Sequence, residues 1–169
     1  FFRAAGEVVF YSAAQRVIQM LYLPVGLIDI SLFPALSRTI HNEPERVRSL
    51  VERSISFTLL FAVPLAVGGA IVAAPLLKLV FGSDYLPAAF SLQILLLTMI
   101  ITSPAGIMNY AVFSYKQEKK LVSYVAISGG TNILFNILLI PPLGIAGSAI
   151  ATVISQTAGL IYLASVLKK

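Results

Sequence analysis

An all-α, polytopic bundle of membrane-crossing helices is the fold this sequence predicts, and three observations predict it. Hydrophobic residues make up 58% of the 169 residues and charged ones only 11%, with a mean hydropathy of +0.91, whereas a soluble domain is about 25% charged. The apolar residues gather into five long runs, each long enough to cross the roughly 30 Å of hydrocarbon that about 20 helical residues span. The positive charges between those runs fall on alternate connections. Strands are excluded, because these runs greatly exceed the roughly 9–11 residues of a barrel strand and do not alternate.

The spans follow in order. The first covers residues 8–36 and the second residues 55–81, with a charged connection from Ser37 to Ser54 between them. A tight turn, Gly82-Ser83-Asp84-Tyr85, leads into the third span at residues 86–115. A basic loop, Lys116-Gln117-Glu118-Lys119-Lys120, precedes the fourth span at residues 121–140. A Pro-Pro-Leu-Gly corner at 141–144 separates it from the fifth, residues 145–167.

Lysine and arginine set the expected orientation. Arg38, Arg46, Arg48 and Arg53 follow the first span, Lys116, Lys119 and Lys120 follow the third, and Lys168 and Lys169 end the chain, nine of its twelve basic residues. Both intervening turns contain none. The positive-inside bias therefore predicts a multi-pass protein of the plasma or inner membrane, with these segments and the carboxy terminus cytoplasmic. The net charge of +5 is then a topology signal, too dispersed to form a nucleic-acid groove. Five spans and an opening without Met predict that a partner half lies upstream, since transporters pair their halves.

Several chemistries are disfavoured. With no cysteine there are no thiolate nucleophiles or thiolate metal sites. The one histidine, His41, reads as a solvated loop residue, because a lone imidazole lacks convergent ligands. No phosphate-binding Gly-Lys-Ser/Thr loop is present. Asp29 and Asp84 stand too isolated to hold magnesium as membrane-embedded transferases do. The sequence therefore predicts no enzyme, no metal and no cofactor.

The polar residues inside the spans are the candidates for function. Arg16 lies about eight residues into the first span, roughly 12 Å along its axis, too deep for easy escape to the interface. It is either a snorkelling or ion-paired arginine that fixes the helix, or a cation lining a hydrated cavity that attracts an anionic substrate. Gln15 and Gln19 support the second reading, since Gln19 follows Arg16 and Gln15 at three- and four-residue spacing. Asp29, the intramembrane carboxylate, either carries a proton or sodium ion or serves a helix-end interface. In the fourth span Asn132 and Asn136 are one turn apart, with Ser128, Thr131 and Gln156 available nearby; they serve interhelical hydrogen bonding or substrate contact.

Two patterns concern helix mechanics. Pro24, Pro34, Pro64, Pro75, Pro87 and Pro104 each remove a backbone donor and favour kinks, although Pro87 stands near a helix start, where the loss costs little. Gly147, Ala151, Ser155 and Gly159 form a small-residue stripe at four-residue intervals, which predicts close approach of another helix.

Four segments carry a family resemblance. Phe10-Tyr11-Ser12-Ala13-Ala14-Gln15-Arg16 heads the first span and Leu32-Phe33-Pro34-Ala35-Leu36-Ser37-Arg38 ends it. Phe81-Gly82-Ser83-Asp84-Tyr85 forms the outer turn, and residues from Asn132 through Asn136 run into Ile140-Pro141-Pro142-Leu143-Gly144-Ile145-Ala146-Gly147-Ser148-Ala149-Ile150-Ala151-Thr152. Together they resemble the carboxy-terminal half of a polysaccharide-export flippase, the O-antigen-type branch of the multidrug/oligosaccharidyl-lipid/polysaccharide superfamily. The resemblance covers nearly the whole chain, and its last motif is the most specific.

That resemblance implies a two-lobed transporter in which this chain is the second lobe minus its first helix. It implies alternating access that moves a lipid-linked oligosaccharide of the undecaprenyl-diphosphate type from the inner to the outer leaflet for surface polysaccharide synthesis. The expected partners are that lipid-linked oligosaccharide, membrane lipid and the missing amino-terminal lobe. Arg16 matches the position at which these flippases turn an arginine toward the central cavity, and a diphosphate crossing hydrocarbon needs fixed cations. A lipid II flippase differs mainly in the saccharide carried. A cation-coupled drug or toxin exporter of the same superfamily would use more membrane carboxylates, and a non-transporting assembly factor leaves Arg16 without a reason.

Overall fold

The computed structural model describes residues 2–167, and every described residue outside the short connections is helical. Helix α1 spans Phe2–Asn42, α2 Val47–Ile71, α3 Ala73–Phe81, α4 Ala89–Ser114, α5 Glu118–Leu143 and α6 Ile145–Leu167. Five helical stretches are long and apolar enough to cross a membrane: Val8–Thr39, Val47–Ile71, Ser83–Ser114, Glu118–Leu143 and Ile145–Leu167. The chain is a multi-pass membrane protein. Lys168 and Lys169 lie outside the described residues, as does the side chain of His41.

Three boundaries differ from the sequence reading, each for a local reason. The charged connection expected from Ser37 to Ser54 is mostly helix, since α1 continues to Asn42 and α2 begins at Val47. Arginine and glutamate are good helix formers, so only the segment around Pro44, which has no amide hydrogen to donate, breaks the ladder. Exposed ion pairs decorate this end, Arg46 with Glu43 at 2.6 Å and Arg48 with Glu52 at 2.9 Å, and exposed pairs add little stability.

The second span is not one helix to residue 81. It breaks at Val72, after the Gly68-Gly69 pair and ahead of Pro75, whose missing amide leaves the turn before it incomplete. Gln93 of α4 meets the break by donating to the Ala70 carbonyl at 3.0 Å. The expected corner at 141–144 is also narrower, because α5 runs through both prolines and only Gly144, at φ +57°, turns the chain. Gly82, at φ +95°, similarly serves the turn between α3 and the short 3-10 segment Ser83–Ala88, where Pro87 precedes α4.

Helix α4 is the centre of the bundle. It buries Leu92, Leu95, Leu96 and Met99 against Ala14, Val17, Val25, Ala62 and Ala66 from α1 and α2. Its other half packs Ala105 and Val112 against Leu163 of α6. Helix α5 rests on α6 with none of its residues fully buried. The small-residue stripe of α6 makes that approach possible: Gly147, Ala151, Ser155 and Gly159 are all buried. A Cβ on Gly147 would run into the Leu139 carbonyl, and one on Gly159 would stand 2.6 Å from the Tyr124 ring. Large apolar side chains such as Leu60, Leu79, Val122 and Ile137 face outward, as they do where the solvent is hydrocarbon.

Candidate functional site

A groove opens where α1, α4 and α6 meet. Its cavity holds about 490 Å³ and is lined by Gln15, Gln19, Tyr22, Thr102, Thr152 and Gln156 among apolar walls from Leu23, Leu27, Leu95 and Met99. Small-molecule sites measure roughly 300–1,000 Å³ and share this composition, apolar walls with a few fixed polar groups. No lining residue of this groove carries a charge. Its recognition chemistry is therefore amide and hydroxyl hydrogen bonding.

The helical repeat explains which candidates reach it. Gln15 and Gln19 are four residues apart and point the same way, into the groove. Arg16, one residue on, is rotated by about 100° and lies in a separate depression of about 310 Å³ with Ser12, Phe81 and Tyr85, beside the turn that follows α3. The structure thus brings the two glutamines together and sets the arginine next to them on another face. Its guanidinium is exposed.

A chain of hydrogen bonds supports the groove wall. Gln15 Nε2 donates to the Tyr11 hydroxyl at 2.9 Å, and that hydroxyl lies 3.2 Å from Thr152 Oγ1. On the far side of α6, Ser155 donates to the Thr152 carbonyl at 2.9 Å and accepts from Asn132 Nδ2 at 3.3 Å. Asn136 Nδ2 donates to Asn132 Oδ1 at 2.8 Å. Asn132 and Asn136 therefore sit at the α5–α6 contact, one layer behind the groove. Gln156 Oε1 and Asn136 Oδ1 are buried without a partner, and buried acceptors of that kind invite a ligand or water.

Asp29 lies elsewhere, at the contact of α1 with α4. It is 3% exposed and accepts from the Tyr22 hydroxyl at 3.1 Å. It is far from a helix end, since α1 continues to Asn42. Sequence reading passed over Tyr11, Tyr22, Thr102 and Thr152. Tyr22 follows Gln15 at seven residues and Gln19 at three, a spacing that could have flagged it, whereas the threonines join the groove only through packing of α4 and α6.

Comparisons with known proteins agree with this architecture. A family model described as lipid II flippase MurJ matches residues 2–169. The probable low-salt glycan biosynthesis flippase Agl15 of Haloferax volcanii is 28% identical over 146 residues, covering 86% of this chain and 31% of that protein. The probable flippase AglR of the same organism is 27% identical over 173 residues, covering 100% of this chain and 36% of its own length. A solved structure of lipid II flippase MurJ in its inward closed conformation superimposes with a TM-score of 0.83 at 21% identity, over 96% of this chain and 36% of that one. The chain spans about a third of the length of the relatives it matches.

Proposed function

We propose, for a chain that belongs to the lipid II flippase MurJ family, that it is one lobe of an alternating-access flippase carrying a lipid-linked oligosaccharide from the inner to the outer leaflet. The observation that carries this reading is the uncharged groove. Helices α1, α4 and α6 present side-chain amides and hydroxyls to one shared cavity, and buried polar groups are costly unless they find partners. Saccharide hydroxyls are such partners, each able to donate and accept.

Two neighbouring sites of this lobe divide the work by chemistry. The groove takes the saccharide, with Gln15, Gln19 and Gln156 as its hydrogen-bonding edge. The diphosphate needs a cation, and Arg16, in the neighbouring depression, offers a planar fork suited to phosphate oxygens. Asn132 and Asn136 hold the α5–α6 pair behind the groove.

The relatives are about three times as long as this chain, which supports a second lobe closing the groove from the other side. We assign this chain to the carboxy-terminal lobe on the strength of the motif order. The lysines and arginines that follow α1, α4 and α6 in the sequence favour a cytoplasmic position for that face and for the carboxy terminus. Surface polysaccharide precursors and lipid II share the polyprenyl diphosphate and differ in the saccharide, so the groove residues decide between them.

Photo-crosslinking tests this reading. A photoreactive side chain placed at Thr152 or Gln156 of the full-length protein in native membranes should capture a lipid-linked saccharide, whereas the same group at Ile137, which is 68% exposed on α5, should capture phospholipid. Capture of phospholipid alone at all three positions would defeat the proposal.

A further inference from the structure

One buried ionisable group has no place in the groove chemistry. Asp29 is 3% exposed, its Oδ2 accepts from Tyr22 at 3.1 Å, and its Oδ1 is buried with no partner. The carboxyl seats on bare backbone across the interface: a Cβ at Gly106 of α4 would lie 2.8 Å from Oδ2. Thr58 of α2, fully buried beside it, donates its hydroxyl to the Ser54 carbonyl at 2.8 Å. Ser103 and Thr102 of α4, beside Tyr22, donate theirs to the Met99 and Thr98 carbonyls at 2.6 and 2.8 Å. The hydroxyls of Thr102 and Ser103 are thus spent on their own helix, and that of Thr58 is shared between the Ser54 carbonyl and the carboxyl.

No cation pairs with Asp29 among the described residues. Tyr22 is the titratable group facing it from α1, and the groups facing it from α2 and α4 (Thr58, Thr102, Ser103 and Gly106) do not titrate. Arg53, on α2, is exposed. An ionised carboxylate held only by the neutral hydroxyls of Tyr22 and Thr58 in a dry helix interface would be costly. A metal ion would need several more oxygens, and the Gly106 backbone closes the Oδ2 side. A proton is the ligand that fits.

We propose that Asp29 is a proton-carrying group of the transport cycle, protonated while α1, α2 and α4 are closed around it and exchanging that proton with groove water past Tyr22 when they part. The groove supplies the route: Tyr22 and Thr102 line it, and the Tyr22 hydroxyl is bonded to the carboxyl behind it. Prolines supply the mobility, because Pro24 and Pro34 flank Asp29 in α1 and Pro104 precedes Gly106 in α4, each removing a backbone bond. One proton moves from water to a carboxylate oxygen and returns to water, with no other bond made. The proposal rests on the alternating-access reading and links groove occupancy to protonation through Tyr22.

Infrared difference spectroscopy on the full-length protein in lipid vesicles, titrated with pH in sodium-free buffer, tests it without any cargo. The wild type should show the carbonyl stretch of a protonated carboxyl rising and falling as a one-proton step, and Asp29→Asn should lose that step. Tyr22→Phe should keep the step and move its midpoint by roughly 0.5–1 pH unit, the worth of one hydrogen bond. Wild-type and Asp29→Asn spectra that titrate identically would overturn the proposal, as would a band that answers to sodium at fixed pH and not to protons. Should Asp29→Asn not fold, a Tyr22→Phe midpoint equal to the wild type overturns it. Loss of the band leaves the flippase reading intact, and loss of transport with the band present leaves the proton site intact.

Discussion

The α5–α6 contact makes a quantitative prediction through its glycines. At Gly147 a single added methyl must displace the Leu139 carbonyl and the Ile140 amide, 3.1 Å away, both of them backbone of the facing helix turn. Backbone cannot rotate aside as a side chain can, so Gly147→Ala should incur an overpacking cost of about 3 kcal/mol, the upper end of the usual range. Gly129 on α5 is exposed with nothing within 4 Å of its Cβ position, and Gly129→Ala should gain up to about 1 kcal/mol from helix propensity alone. Propensity favours both variants, so their difference isolates the packing cost. Thermal unfolding of the full-length protein in detergent, followed by size-exclusion of the surviving monodisperse fraction, should place Gly147→Ala below Gly129→Ala by roughly 5 °C or more. Equal midpoints would refute the claim that the stripe is a backbone-to-backbone contact.

Three further outcomes are expected. Ser83→Cys and Leu143→Cys should react with an impermeant thiol reagent applied to intact cells while Asn42→Cys and Gln117→Cys should not, and the opposite labelling would reverse the orientation drawn from the basic connections. Asn132→Ala removes the interhelical bond to Ser155 and the bond to Asn136 within α5, so unfolding in detergent should show a loss of about 0.6 kcal/mol for the interhelical bond; a loss above about 3 kcal/mol would mean the network is held by more than these bonds. Arg16→Ala should abolish surface polysaccharide export with normal protein level, since removing an intramembrane charge does not hinder insertion, and export at the wild-type rate would return Arg16 to a helix-positioning role.

The number and placement of the spans were legible because bilayer thickness fixes a length that any apolar run must meet. The ends were not, because the charged residues from Arg38 to Arg53 continue a helix as readily as they form a loop, and hydropathy sees only where lipid ends. The break at Val72 had its signals in Gly68, Gly69 and Pro75, yet a continuous apolar run masked them. Within the site, Gln15 and Gln19 were readable from their shared face. Arg16 was read with them because three-residue spacing to Gln19 also permits a shared face, and the groove lies on the Gln15 side of that arc. The seat of Asp29 on Gly106 joins residues 77 positions apart, a relation that no local pattern encodes.

The most direct measurement of the central claim is transbilayer movement of a labelled lipid-diphosphate oligosaccharide in vesicles holding the full-length protein, compared with Gln15→Leu/Gln156→Leu and with protein-free vesicles. The wild type should deliver cargo to the opposite leaflet, and the groove variant, folded and inserted equally well, should fall at least tenfold, the worth of about 1.4 kcal/mol of lost cargo contact. Wild-type vesicles that match protein-free ones, or a groove variant that moves cargo as fast as the wild type, would contradict the account.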